Sequence, residues 1–156
     1  MPMTGNDHKP IVVANTPFEE RTAQFSPDGR WVAYDTNESG RFQIVVQPFP
    51  NPTGKWQVST TGGIQPRWSK DGNELYFIAP DGKLMAATIH TSESSFGAGR
   101  PEALFQTRMN LNPYKHSYAV SADGRFLINQ LVNESATTPI TLLLNWHPGL
   151  SARENR

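Results

Sequence analysis

Cysteine is absent from this chain of 156 residues, charged side chains make up only 18% of it, and no long apolar run occurs. Without thiols there is no disulfide framework, no thiolate metal site and no cysteine nucleophile. The 14 basic and 14 acidic side chains cancel. A nucleic-acid footprint needs a basic face to displace counterions, so nucleic acid is not an expected partner. A helix that spans a bilayer needs about 18 apolar residues in a row, so membrane insertion is not expected either. The first ten residues carry no apolar core of a secretory signal, which by itself points to the cytoplasm. Helical periodicity is missing as well, because glycine or proline interrupts most windows.

What the chain does have is punctuation: 12 glycines and 13 prolines, with a mean hydropathy of −0.53. Much of it falls in a repeat. Ser26-Pro27-Asp28-Gly29, Ser69-Lys70-Asp71-Gly72 and Ser121-Ala122-Asp123-Gly124 stand 43 and then 52 residues apart. An apolar residue precedes each serine (Phe25, Trp68, Val120), and an apolar-rich run follows each glycine. Asp-Gly between two such runs is a hairpin signal: glycine accepts positive φ, and the aspartate carboxylate can hold the turn's backbone. Asp28, Gly29, Asp71, Gly72, Asp123 and Gly124 are therefore read as structural turn residues.

Each turn then joins two antiparallel strands, and further turn signals extend each unit toward four. In the first unit strands are expected at 22–25, 31–36, 42–47 and 55–59. In the second they are expected at 64–68, 74–79, 83–90 and 101–107, with a polar loop at 91–99. In the third they are expected at 116–120, 125–131 and 140–146, with no fourth. Residues 10–14 read as an orphan strand. Four-stranded antiparallel units of about 40–45 residues are the blades of β-propellers. The expected fold is all-β, with about three propeller blades (about 20–60, 61–108 and 114–147) in an incomplete ring. Disordered segments are expected at 1–9 and 151–156.

The run Phe25-Ser26-Pro27-Asp28-Gly29-Arg30-Trp31-Val32-Ala33-Tyr34 resembles the TolB-type, WD-repeat-like propeller family. Its blades carry an aromatic-Ser-Pro-Asp-Gly-Arg-x-apolar-Ala-Tyr pattern. The second unit departs from it at Lys70, Asn73 and Glu74, and the third at Ala122 and Asn129. Val46-Gln47-Pro48-Phe49-Pro50, Gly54-Lys55-Trp56-Gln57-Val58-Ser59, and the ending Pro139 to Trp146 are similar to the C-terminal propeller of bacterial serine/threonine protein kinases. That resemblance implies a bacterial, kinase-associated sensor module, outside the inner membrane when part of a longer protein of this type. No Gly-rich phosphate loop, His-Arg-Asp or Asp-Phe-Gly accompanies it, so kinase activity does not carry over. Three blades do not close a ring. Either they belong to a longer propeller or remnant, or two copies form a homodimer that completes a six-bladed ring, the 10–14 strand of each finishing the other's last blade.

Catalytic chemistry finds little footing. A Gly-x-Ser-x-Gly elbow does not occur, and the four histidines show no zinc-ligand spacing. No catalytic residue and no cofactor is assigned. Asp35, Asn37 and Ser39 imitate the opening of a calcium loop, but Val46 stands where the bidentate glutamate belongs. The ligand-binding candidates are Arg67, Trp56, Tyr114 and His116, aromatic and basic residues near strand ends that can line a peptide or glycan groove. The expected function is a non-catalytic binding or scaffold module for protein, peptide or carbohydrate. The alternative is an accessory propeller gating a catalytic domain, peptidase or kinase, encoded elsewhere.

Overall fold

The computed structural model describes residues 10–92, 95–109, 111–112 and 115–130. Among them there is no helix, and the chain is all-β, as its punctuation predicts. The first sheet contains β1 (Glu20–Phe25), β2 (Trp31–Thr36), β3 (Gln43–Pro48) and β4 (Trp56–Gln57), antiparallel and in chain order. The second contains β5 (Ile64–Trp68), β6 (Glu74–Ile78) and β7 (Lys83–Thr91), with β8 (Phe96–Ala98) and β9 (Glu102–Gln106) both pairing with β7. A third, two-stranded sheet joins β10 (Tyr118–Val120) to β11 (Phe126–Ile128). None of these sheets closes on itself.

Alternation along the central strands explains the stacking. In β6, Leu75 and Phe77 point one way and Tyr76 and Ile78 the other, as period-2 geometry requires. The first pair meets Trp31, Ala33, Ile44 and Val46 of the first sheet. The second pair, with Leu84 and Ala86, packs against Val120, Phe126 and Ile128 of the third. The middle sheet is thus covered on both faces. Burying a side chain such as Phe77, 1% exposed, contributes about 1.5–3 kcal/mol.

Several expected elements differ from the observed ones. Residues 10–14 form no strand; instead Val13 lies on the back face of the first sheet with Val32, Tyr34, Val45 and Phe49. The Gln47 side-chain amide donates to the Val13 carbonyl at 2.5 Å, which anchors the segment without a ladder. The polar loop expected at 91–99 contains β8, because Phe96 is buried against Trp31 and Trp56 at ring distances of 5.2 and 5.7 Å. Long β7 holds β9 through Lys83↔Gln106 and β8 through Thr91↔Phe96, so the expected single fourth strand comes in two pieces. In the third unit the strands are shorter than expected, and the segment expected at 140–146 lies outside the described residues.

The three turns share their hydrogen bonding. Each motif glycine donates its N–H to the motif serine's carbonyl, with φ of 71° at Gly29, 77° at Gly72 and 80° at Gly124. Each serine hydroxyl donates to the aspartate two residues on, at 2.6, 2.6 and 2.5 Å. It also accepts an N–H from the start of the returning segment. The register, however, is not shared. The pairs Phe25↔Val32 and Trp68↔Leu75 are equivalent, whereas Val120 faces Phe126, one residue earlier in its motif. Because side chains alternate, a slip of one exchanges the faces. Phe126 and Ile128 therefore turn to the second sheet, and Leu127 stands 77% exposed.

Candidate binding site

The first strand of each unit is the one nearest its neighbours: β5 approaches both β1 and β10. Two of these strands carry a bulge. Thr22 and Gln65, each four residues before its motif serine, adopt φ of 50° and 58°, and the ladder shifts register around both. Non-glycine residues avoid this region, and bulges of this kind re-aim side chains. Thr22 turns its hydroxyl to the Asp35 carboxylate. Gln65 is wholly buried and reaches the third unit. Its amide N–H groups donate to the carbonyls of Asn112 and Lys115 at 3.1 and 2.8 Å, and its Oε1 accepts the Ser117 N–H at 2.8 Å. Its main-chain carbonyl takes the Tyr118 hydroxyl at 2.9 Å.

Asp35 is the charged centre of this inner edge. It is fully buried on β2 and accepts from Arg21 Nε and Nη2, both at 2.9 Å. The Arg21 guanidinium lies 3.4 Å from the centre of the Phe42 ring, so it is neutralised on one side and stacked on another. Asn37, by contrast, accepts the Glu19 N–H, and Ser39 donates to the Arg41 carbonyl. Each calcium-loop candidate is thus engaged separately: Asp35 by Arg21, Asn37 by the Glu19 backbone beside β1, and Ser39 within its own turn. Among the described residues no group of three or more His, Asp or Glu is arranged to hold a metal ion.

Arg67, on β5, stands differently from Arg21. Its Nη1 donates to the Pro66 carbonyl at 2.8 Å, and its guanidinium lies 5.8 Å from the Tyr118 ring centre. No carboxylate among the described residues pairs with it. The turn aspartates are engaged within their own turns: Asp28 by Arg30 at 2.6 Å, Asp71 by the Asn73 amide at 2.8 Å, Asp123 by Arg125 at 2.8 Å. Burial pulls the Arg67 guanidinium below its ordinary value. It is half-buried and faces a groove of about 370 Å³ whose walls include Phe25, Pro27, Trp68, Ser69, Ser121 and Ala122. All three repeat turns contribute to that lining.

The other sequence candidates are distributed unevenly. His116 is exposed and close enough to Arg67 to feel its charge. Partial burial, then the Arg67 charge, push the imidazole below its ordinary value, against the pull of Asp35. Trp56 is not at this groove. It packs with Trp31 and Phe96 in the core between the first and second sheets. Tyr114 lies outside the described residues. Gln65 and the pairing of Arg21 with Asp35 are not singled out by the sequence. The available signal was a polar residue four positions before each motif serine: Thr22, Gln65 and Ser117. At the other end of β5, a 300 Å³ apolar pocket is bounded by Phe42, Gly63, Ile78 and Leu111.

Comparison with protein-family models and with curated proteins finds no match. What the geometry defines is a class: an all-β chain of stacked antiparallel sheets with a cationic, partly aromatic groove where its turns gather.

Proposed function

We propose that this chain is part of a β-propeller of the TolB type and serves as a non-catalytic binding and scaffold module. Its sheets act as blades, the first strand of each innermost, and its ligand is a protein, peptide or carbohydrate held at the turn-lined groove. The observation that carries this reading is the convergence of three equivalent turns on the one groove that also holds Arg67. Similarity to kinase-linked propellers makes a sensor role in a longer bacterial protein part of the same proposal. A homodimer closing a six-bladed ring is the arrangement in which the open ends of the sheet stack cover one another. Ile11 and Val12, 50% and 64% exposed beside the first sheet, favour it.

The test is capture on peptide and glycan arrays by the full chain and by an Ala122→Trp variant, whose indole fills the groove. Ligands retained by the parent and lost by the variant support the reading; arrays that stay blank, or capture that the variant leaves intact, refute it. Native mass spectrometry at micromolar concentration tests the ring, and a monomer alone refutes the homodimer.

A further inference from the structure

We propose that Arg67 is a receptor for a carboxylate, specifically the acidic side chain of a bound peptide flanked by apolar residues. This rests on reading the turn-lined groove as the binding site, and names the ligand chemistry for it. A guanidinium half withdrawn from water gains where an anion or further acceptors meet it. Among the described residues Arg67 meets one main-chain carbonyl and a ring face, which leaves most of its planar fork of five donors open to a ligand. The acids nearby among the described residues are engaged elsewhere. The three turn aspartates are held by their own turns, and Glu74, in the adjoining cleft, accepts the Tyr76 hydroxyl at 2.5 Å. Lys70 adds a second positive charge on the rim. A planar fork of this kind matches a carboxylate with two parallel hydrogen bonds. Part of the surrounding wall is apolar: Phe25, 53% exposed, Pro27 and Trp68, whose indole N–H is already given to the Gln24 carbonyl at 3.2 Å. An acidic residue between two apolar ones satisfies both features, the carboxylate at the fork and its neighbours on the walls.

The experiment is an NMR titration of the full chain, observing the Arg67 Nε–H and Trp68 Nε1–H signals. The probes are Ac-Gly-Phe-Glu-Phe-Gly-NH₂, its Gln counterpart and sodium glucuronate. The Glu peptide is expected to bind about tenfold more tightly than the Gln peptide, the difference a charge-assisted pair supplies. Arg67→Gln should abolish that preference and Arg67→Lys should retain part of it. The lysine variant also guards against loss of folding in the first. Equal binding of the two peptides, or a preference that survives Arg67→Gln, overturns the carboxylate assignment while leaving the groove as a binding site. Glucuronate moving the same signals at lower concentration than the Glu peptide overturns the peptide in favour of an acidic sugar. No response to any probe also overturns the assignment; the broader binding reading fails only if the arrays too are blank.

Discussion

The first and third hairpins carry nearly the same letters and are built differently. Ser26-Pro27-Asp28-Gly29-Arg30-Trp31 returns through Trp31, which bonds back to Ser26, whereas Ser121-Ala122-Asp123-Gly124-Arg125 returns one residue sooner, through Arg125. The first hairpin sits in a four-stranded sheet, with β2 buried along its whole length; the third is two short strands resting on the second sheet. A turn motif dictates the positive φ and the serine–aspartate hydrogen bond, but the packing on either side decides which residue pairs first. Where β3 holds β2 from the far side, register follows the motif. Where the described sheet ends at β11, Phe126 is drawn to Tyr76, 4.9 Å away edge to face.

The difference can be broken most forcefully at the interface of the first two sheets. Phe77→Ala should cost about 3–5 kcal/mol in urea unfolding, a transfer loss plus a cavity that the sheets cannot collapse into. Next comes charge. Asp35→Ala leaves the 10%-exposed Arg21 with the more distant and more exposed Glu19, at 3.7 Å, in place of its close partner and should cost about 3 kcal/mol. The corresponding loss at the exposed Arg125–Asp123 pair is expected to be indistinguishable from parent. Equal effects at the two pairs would remove the contrast between the hairpins.

Glycine substitutions probe what the turns share. An added Cβ at Gly29 or Gly124 meets nothing within 4 Å, so only the positive φ opposes it. Each Ala variant should lose about 1 kcal/mol, with the two alike. Leu127→Ala then reads the register directly. With Leu127 exposed, the change should stay within about 0.5 kcal/mol. A loss of about 2 kcal/mol or more would mean that Leu127 is packed against the second sheet and that the third hairpin keeps the motif's register.

The gentlest probe is acid. In Asp71 the Ser69 hydroxyl, and then the Asn73 groups, hold the carboxyl below its ordinary 3.8. In Asp123 the Ser121 hydroxyl and Arg125 do the same. In Asp28 partial burial pushes upward, and the bonds from Ser26 and Arg30 prevail. A carboxyl lowered on folding stabilises the fold above its unfolded value, and that stabilisation is lost as pH falls through the folded one. Carboxyl titrations should therefore place all three below 3.8, and Ser69→Ala should move Asp71 back toward it.

The turns were legible because Asp-Gly permits few backbone paths, and the strands at 31–36, 64–68 and most of 74–79 followed from alternation next to them. The all-β character was legible for the same reason. The bulges at Thr22 and Gln65 were not, since nothing about threonine or glutamine announces a left-handed backbone; the surrounding strands impose it. Nor was β8, whose three residues sit in a polar stretch and owe their pairing to one buried phenylalanine. Of the residues that the sequence offers as ligand-binding candidates, Arg67 lines the groove and His116 stands near enough to feel its charge, whereas Trp56 lies in the core between the first two sheets. Its apolar neighbours Trp31 and Phe96 are 25 and 40 residues away in the chain, a proximity that only the stacking of sheets creates.

The wholly buried amide of Gln65 gives the docking of the third hairpin a polar latch beside its apolar contacts. Lifting away the chain that leads into β10, with Asn112, Lys115 and Ser117, strands two donors and one acceptor at once on a buried side chain, so partial release is costlier than either seated or fully detached. The hairpin should consequently leave as one cooperative step. The Ser117 amide proton, locked to Gln65 Oε1, is its timer: its hydrogen-exchange rate counts how often the latch opens.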